Sequence, residues 1–280
     1  MRFTIFAASL IAGSALAMSP ASAQTAEEWT GPYVGGHLGY SFLSEEDDER
    51  IEFDTDLNGA YGDTVRNTGM ADVFSPGFCD GANLSNNAAA GCKDDEGAVE
   101  AGLRAGYDWA YGGLLLGVVG EVTFVDIDDS ATAFTTTPAG YSFKRSIETI
   151  YALRGRVGVP VGPYLAYGAA GIAFADIERV FNTTNGLNSF TPRGGDDAKG
   201  YQVGFGAERR VGAGPLSLGA EYLYTSLDDD GYVVRFGQGA ATATHPFVLV
   251  NPAGTDARRT DDTFDLHSVR ITATYRFGAF

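Results

Sequence analysis

Residues 97–110 read GAVEAGLRAGYDWA, and every second side chain along them is apolar. A period of two is the spacing of a β-strand, because successive side chains of a strand point to opposite faces. One face of this strand carries Val99, Ala101, Leu103, Ala105, Tyr107 and Trp109. The other face carries Glu100, Gly102, Arg104, Gly106 and Asp108. The stretch therefore predicts a strand with one apolar face and one charged face.

Seven further segments of similar length lie along the chain, and most of them repeat this alternation. They are residues 33–42, 114–126, 146–159, 164–176, 199–210, 216–227 and 265–277. The segment that begins at Tyr164 is too rich in alanine and glycine for its faces to be assigned. With the first stretch they predict eight strands, an even number.

The connections between these segments alternate in length. Tight turns are predicted at residues 111–113, 160–163 and 212–215, whereas long polar connections are predicted at residues 44–96, 127–145, 177–198 and 228–264. Short turns at one end and long loops at the other are typical of outer-membrane barrels, and a compact soluble domain rarely needs four such loops. Lipid offers no hydrogen-bond partners, so the strands must close on themselves. We predict an all-β, eight-stranded antiparallel up-and-down transmembrane β-barrel with four long extracellular loops.

Charged side chains predominate on the face that would line the barrel. An eight-stranded barrel has room inside only for side chains, and unpaired charges at that depth would be costly. Because the two signs nearly balance, we predict a cross-linked ionic core, while an ion-conducting lumen stays open as the alternative. The predicted inward set is Glu100, Arg104, Asp108, Glu121, Glu148, Arg154, Arg156, Glu208, Glu221, Arg270 and Arg276.

The ends and the composition indicate an exported protein. Residues 1–23 have a basic start, a short apolar run and small residues at the end, which predicts a signal peptide and a barrel domain over residues 24–280. The chain has 36 acidic and 19 basic residues and a net charge of −17, which argues against nucleic acid as a partner. In an exported chain, the two cysteines, Cys79 and Cys92, predict a disulfide. Residues 157–175 are uncharged, but Pro160, Gly162 and Pro163 indicate a turn there instead of a spanning helix.

Four pieces of the sequence resemble the OmpA-like and opacity-type outer-membrane β-barrel family, which includes small major outer-membrane proteins of alphaproteobacteria. They are WTGPYVGGHLGYSF at residues 29–42, ALRGRVGV at 152–159, GAEYLYTSL at 219–227 and HSVRITATYRF at 267–277. The resemblance implies a structural outer-membrane protein, an adhesin or a surface antigen, and a few such relatives are reported to bind haem. It also implies that the barrel-assembly machinery recognises a terminal aromatic residue, which is Phe280 in this chain. Members of the family commonly end at the aromatic residue that follows Tyr-Arg, whereas this chain continues from Phe277 to Phe280.

Candidate chemistry outside the barrel core is sparse, and we expect no enzyme activity, no cofactor and no metal. His267 and Ser268 are adjacent in a strand and so point to opposite faces, and His245 lies in a loop with no evident catalytic partner. Acidic runs in the loops raise a divalent-cation hypothesis that competes with a simple solvated surface. We expect outer-membrane lipids and lipopolysaccharide as partners. The leading hypothesis is a non-enzymatic protein for envelope integrity and surface presentation. A small porin is one alternative, and an adhesin for a host or matrix ligand, or a haem-binding protein, is the other.

Overall fold

The structure is a computed structural model that describes residues 25–44, 49–229 and 231–277. The predicted signal peptide and Phe280 lie outside these residues. No helix in the described ranges is long and apolar enough to cross a membrane. The strands, in chain order, are β1 (Gly31–Leu43), β2 (Ile51–Asp54), β3 (Gly77–Asp80), β4 (Ala82–Asn83), β5 (Cys92–Lys93), β6 (Ala98–Tyr111), β7 (Leu114–Phe134), β8 (Gly140–Val161), β9 (Tyr164–Thr183), β10 (Ser189–Arg193), β11 (Asp197–Arg210), β12 (Leu216–Asp228), β13 (Val233–Gly237), β14 (Thr255–Arg259) and β15 (Thr263–Arg276).

Eight of these strands form a closed antiparallel ring. Its order is β7-β6-β1-β15-β12-β11-β9-β8, and β8 pairs back onto β7. The two ends of the chain meet in this ring, because Tyr33 of β1 stands opposite Arg276 of β15. This ring confirms the predicted eight-stranded barrel. The closure leaves none of its eight strands with an unpaired edge along the ring, as a lipid environment requires.

The alternation along β6 decides which side chains face inward. Val99 and Leu103 are 73% and 64% exposed, whereas Glu100 and Asp108 are buried inside the ring. Inward glycines make room for the larger side chains of the neighbouring strand. A Cβ on Gly102 would collide with the ring of His37, and a Cβ on Gly106 would collide with the ring of Tyr33.

The outer surface of the ring is an apolar band with an aromatic belt at each end. At the short-turn end the exposed aromatic side chains are those of Tyr107, Trp109, Tyr111, Tyr164, Tyr275 and Phe277. At the long-loop end they are those of Tyr40, Phe42, Phe124, Tyr151, Phe174 and Tyr201. Exposed carboxylates follow directly beyond the second belt, at Asp126, Glu148 and Asp176. These charges mark the end of the segment that can lie in lipid.

Three strands continue well beyond this boundary, so the predicted connection at residues 127–145 is wrong. β7 runs to Phe134 and β8 begins at Gly140, which leaves only residues 135–139 as the link. β9 likewise continues to Thr183. The acidic residues in this stretch suggested a loop, but Asp128 lies at an outward position of a strand and Asp129 is buried against arginine side chains, while inward positions such as Ile127 are apolar and buried.

The connecting segments fold into a second body on top of the barrel, which we call the head. It consists of β2 to β5, β10, β13, β14 and the upper parts of β7, β8 and β9. β10, β13, β14 and β2 form a four-stranded antiparallel sheet. β3 pairs with the top of β7, and the predicted disulfide between Cys79 and Cys92 is present. Between the sheet and the extended barrel strands lies an aromatic core that includes Phe53, Phe74, Tyr141, Phe143, Phe236 and Phe247.

Candidate functional sites in the barrel interior and the head

The lowest part of the barrel interior, near the short turns, holds two arginines shared between two carboxylates. Arg156 donates to Asp108 and, at 2.8 Å, to Glu208. Arg276 donates to Asp108 at 2.6 Å and to Glu208 at 3.1 Å. The guanidinium groups of both arginines lie about 5 Å from the centre of the Tyr33 ring. This lower cluster joins four strands across the lumen and is closed below by Trp29, which is fully buried.

A second cluster fills the middle of the barrel. Arg104 Nη2 lies 2.8 Å from Glu121 and 2.9 Å from Glu221. Arg154 Nη2 also reaches Glu121 at 2.8 Å. Arg270 completes this middle cluster by pairing with Glu121 and Glu100. Multiple charge-assisted hydrogen bonds of this kind hold buried arginines and carboxylates in one geometry.

The two clusters contain ten of the eleven residues that we predicted for the interior. All ten are at most 7% exposed. They are five arginines and five carboxylates, so the network is neutral when all are ionised: Arg104, Arg154, Arg156, Arg270 and Arg276 with Glu100, Asp108, Glu121, Glu208 and Glu221. The eleventh residue, Glu148, does not belong to this set, because its side chain is exposed on the outer face. An irregularity in β8 places both Ile147 and Ile150 inward, and this interrupts the strict alternation by which Glu148 was assigned.

The interior changes character above the middle cluster. Going up β8, the inward side chains are Arg156, Arg154, Ala152, Ile150, Ile147, Arg145 and then Phe143. Ile150 and Ile147 belong to an apolar layer, to which six barrel strands contribute. We define it as Val125, Ile127, Ile147, Ile150, Ala173, Ala175, Ile177, Ala198, Leu227, Phe264 and Leu266. Sequence reasoning missed this layer, although apolar residues at inward positions such as Ile127 are its signal.

A further charge cluster lies between the apolar layer and the head, and we call it the mouth cluster. Arg145 donates to Asp129 at 2.7 Å, to Asp229 at 2.9 Å and to Asp261 at 2.6 Å. Arg259 reaches Asp129 at 2.7 Å and also pairs with Glu49. These side chains come from widely separated connections, so the cluster ties the head to the top of the barrel.

Burial changes the pKa of several carboxyl groups around the mouth cluster. Desolvation raises the pKa of Asp95 to about 7, and its carboxyl group accepts a hydrogen bond from the Ser130 amide at 2.8 Å. Burial also opposes the charge of Asp129, but the attraction of Arg259 and Arg145 outweighs it and keeps the pKa of that carboxyl below its usual range.

Within the part of the chain that the structure describes, two groups of carboxylates lie close enough for a shared cation, namely Glu49 with Asp80 and Asp129, and Asp54 with Asp56 and Asp63. Arg259 pairs with both Glu49 and Asp129 and so compensates most of the first group's charge. In the second group, Asp63 accepts hydrogen bonds from Thr55, and Asp54 accepts from backbone amides of residues 58 and 59. Most of the acidic run at residues 45–49 lies outside the described residues.

Neither His267 nor His245 forms a complete catalytic arrangement with the described residues. His267 faces outward and contacts Ser44, not Ser268, with Nε2 3.0 Å from the Ser44 hydroxyl. Its Nδ1 lies 2.6 Å from the Tyr222 hydroxyl. Among the described residues no carboxylate lies within 4.0 Å of its ring nitrogens, so the acid of a Ser/His/acid triad is missing here. His245 lies half-buried in the head, where its Nδ1 accepts from the Phe247 amide at 3.4 Å.

Comparison with known proteins gives a curated relative and solved structures to which this chain is similar. A 22 kDa outer membrane protein of Rhizobium leguminosarum bv. viciae is 29% identical over 135 residues, which are 47% of this chain, and the match spans about half (54%) of that protein. The crystal structure of OprG from Pseudomonas aeruginosa covers 88% of this chain and 97% of its own, with 12% identity and a TM-score of 0.49. That of Ail from Yersinia pestis, in complex with the heparin analogue sucrose octasulfate, covers 88% and 99%, with 10% identity and a TM-score of 0.33.

The family comparison is more extensive than any of these pairwise matches. The model of the family described as "Outer membrane protein beta-barrel domain" matches residues 9–277, which is nearly the whole chain. That match agrees with the closed ring, the apolar band and the two aromatic belts. The chain therefore belongs to the outer membrane protein β-barrel family, and the bacterial outer membrane is its location.

Proposed function

We propose that this protein is a non-enzymatic and non-conducting barrel that holds a folded head at the cell surface and contributes to envelope integrity. The observation that carries the proposal is the filling of the barrel. A path along the axis would meet the lower cluster, the middle cluster, the apolar layer and the mouth cluster in turn. The apolar layer interrupts the series of charged side chains along the axis, and each guanidinium group of the two barrel clusters already has carboxylate partners.

The arrangement of the connecting segments supports surface presentation as the purpose of the barrel. The head has its own sheet, its own aromatic core and a disulfide. A rigid scaffold that positions loops is the common way in which proteins display binding surfaces. The aromatic belts and the apolar band support a stable place among outer-membrane lipids and lipopolysaccharide. We propose Phe280 as the signal read by the barrel-assembly machinery during insertion.

Planar-bilayer conductance tests the closed barrel. Purified protein, refolded in detergent and checked for heat-modifiable migration in gels, is added to a bilayer at 1 M salt. An open general porin added to the same bilayer is the positive control. We expect no stable current steps from this protein. Reproducible large steps from the folded fraction would overturn the proposal in favour of a small porin.

Deletion of the first long connection, residues 44–96, separates anchoring from presentation. The deletion removes β2, β3, β4 and β5 from the head but leaves the eight barrel strands. We expect a barrel that still inserts, together with loss of whatever binding the head provides. Envelope permeability to a large antibiotic, compared in cells with the full chain, the deletion and no protein, reports the contribution to integrity. Equal permeability in all three would contradict it.

A further inference from the structure

A cavity of about 530 Å³ opens in the head, and no residue of the mouth cluster lines it. All four connections of the long-loop end contribute to its wall. The lining includes Asn67, Thr137, Tyr141, Asn185, His245 and Phe247. This volume lies within the range of about 300–1,000 Å³ that is typical of small-ligand sites. Four separate segments therefore converge on one concave site.

The wall of this cavity carries no Asp, Glu, Lys or Arg side chain among the residues that line it. This is unexpected in a chain with 36 acidic and 19 basic residues. His245 also lines the wall, and burial lowers the pKa of its ring, which favours the uncharged form. The site therefore favours an uncharged ligand, because a buried charge would find no partner of opposite sign.

The wall offers uncharged hydrogen-bonding groups beside apolar surface. The hydroxyls of Thr136 and Thr137 make no hydrogen bond with any described residue, and the Asn67 Nδ2 amide also keeps its donors free. Pro138 and Leu187 supply apolar contact area, and Leu187 is 61% exposed. Hydroxyl and amide groups can both donate and accept, so they match a ligand that is itself covered with hydroxyls on an apolar frame.

Hydrogen bonds within the protein hold the wall in place before any ligand arrives. The Asn185 amide donates to the Tyr141 hydroxyl and to Asn188, both at 2.9 Å. The Thr184 hydroxyl accepts from the Gly140 amide at 3.0 Å. Tyr141 and Phe247, which form the floor, are at most 2% exposed and belong to the aromatic core. Binding therefore orders few additional groups, which favours affinity.

We propose that this cavity binds a neutral saccharide unit of a surface glycan, and we call it the tip pocket. The inference rests on the proposed display role of the head, because the pocket has access to glycans only from outside the cell. The ligand could come from the bacterial O-polysaccharide or from a host glycoconjugate, and the chemistry of recognition is the same for both. The conductance experiment tests only whether the barrel is closed. A conducting barrel would therefore contradict the proposed function without changing the result of the glycan-binding test.

The test measures binding of the refolded full chain in nanodiscs to an array of neutral, sialylated and sulfated glycans, with saturation-transfer NMR for the hits. One arm uses neutral bacterial polysaccharides and the other uses neutral host-type oligosaccharides. The pocket variant is Thr136→Val with Thr137→Val, which removes two hydroxyls that have no described partner within the chain and preserves side-chain shape. The matched control is Thr64→Val with Thr191→Val, since both threonines are exposed in the head and lie outside the pocket lining.

We expect binding to neutral glycans in at least one arm, an approximately tenfold weaker Kd in the pocket variant and an unchanged Kd in the control. The arm that gives hits identifies the source of the ligand. The proposal is overturned if no neutral glycan binds at millimolar concentration or if charged glycans bind as well as neutral ones. It is also overturned if the folded pocket variant binds like wild type.

Discussion

The contribution of a charged residue in the barrel core to stability depends on its ion-pair partners more than on its own charge. Arg104 contacts Glu121 and Glu221 in a part of the lumen that excludes solvent. Removing a guanidinium from such a cluster leaves carboxylates buried without full compensation, which commonly costs about 3–5 kcal/mol. We therefore expect the network to tolerate the joint replacement of an arginine and a carboxylate partner better than the replacement of one of them alone.

We expect Arg104→Met to lower the free energy of unfolding by about 3–5 kcal/mol, because Glu121 and Glu221 lose a shared partner. Urea unfolding in lipid vesicles measures this change. Arg209→Met is the matched control, since Arg209 lies exposed on the outer face and its guanidinium group lies 5.6 Å from the centre of the Tyr164 ring. A change for Arg104→Met within about 1 kcal/mol of the control would contradict the role of the middle cluster.

Asp95 is expected to make the head more stable at pH 5.5 than at pH 7.5. Its pKa in the folded head is about 7, well above the value of about 3.9 in an unfolded chain. The folded state therefore binds more protons than the unfolded state between these values, and stability falls as the pH rises through this window. The lowered pKa of Asp129 acts in the opposite sense, but only in more acidic solution.

Hydrogen-exchange protection of the Ser130 amide, corrected for intrinsic rates, reports this effect. The control is Asp95→Asn, which can still accept from Ser130 but does not titrate. We expect the variant to show a flatter dependence on pH and greater protection than wild type at pH 7.5. Parallel pH profiles for the two proteins would show that Asp95 is not the group responsible.

At the scale of elements, the strands that lie in lipid can be predicted from the local alternation of apolar and polar residues, whereas the fold of the head cannot. Most barrel strands show their faces through their own alternation, as β6 does and the segment from Tyr164 does not, so eight strands and ten interior charges can be predicted from the sequence. The outward position of Glu148 could not be predicted, because the irregularity in β8 depends on how this strand pairs with both of its neighbours, β7 and β9. The mouth cluster could not be predicted either, since Arg145 binds Asp229 and Asp261, which are 84 and 116 residues away in sequence.

The disulfide is expected to stabilise β3, β4 and β5 but not the barrel. Cys79 and Cys92 are 13 residues apart, and closing a loop of that size corresponds to about 3 kcal/mol in the chain-entropy treatment. In Cys79→Ser with Cys92→Ser, we expect faster proteolysis within residues 77–93 and unchanged heat-modifiable migration. Wild type treated with a reductant should behave in the same way. Loss of the folded gel band in the variant would show that the bond is needed for barrel assembly.

On the scale of the whole molecule, two bodies with separate cores are stacked on one another. The aromatic core of the head and the ionic interior of the barrel are separated by the apolar layer and the mouth cluster. Only the barrel has every strand paired on both sides. Segments with fewer and weaker constraints open at lower free energy than the most protected core.

We therefore expect the head to unfold before the barrel. Both tryptophans, Trp29 and Trp109, lie at the short-turn end, so their fluorescence reports on the barrel alone. Hydrogen exchange of β10, β13 and β14 reports on the head. During a denaturant titration, exchange in the head should rise at lower concentrations than those that change the fluorescence. Coincident transitions would instead show a single cooperative unit.

The charges inside the barrel also matter before any barrel exists, while the chain is still passing through the inner membrane. A charged residue at the centre of a candidate spanning helix opposes lateral release from the translocon by about 2.5–3.5 kcal/mol. β6 alone carries Glu100, Arg104 and Asp108, so it cannot act as a stop-transfer segment. In β6, the same alternation that fills the finished barrel therefore also opposes retention of the unfolded chain in the inner membrane.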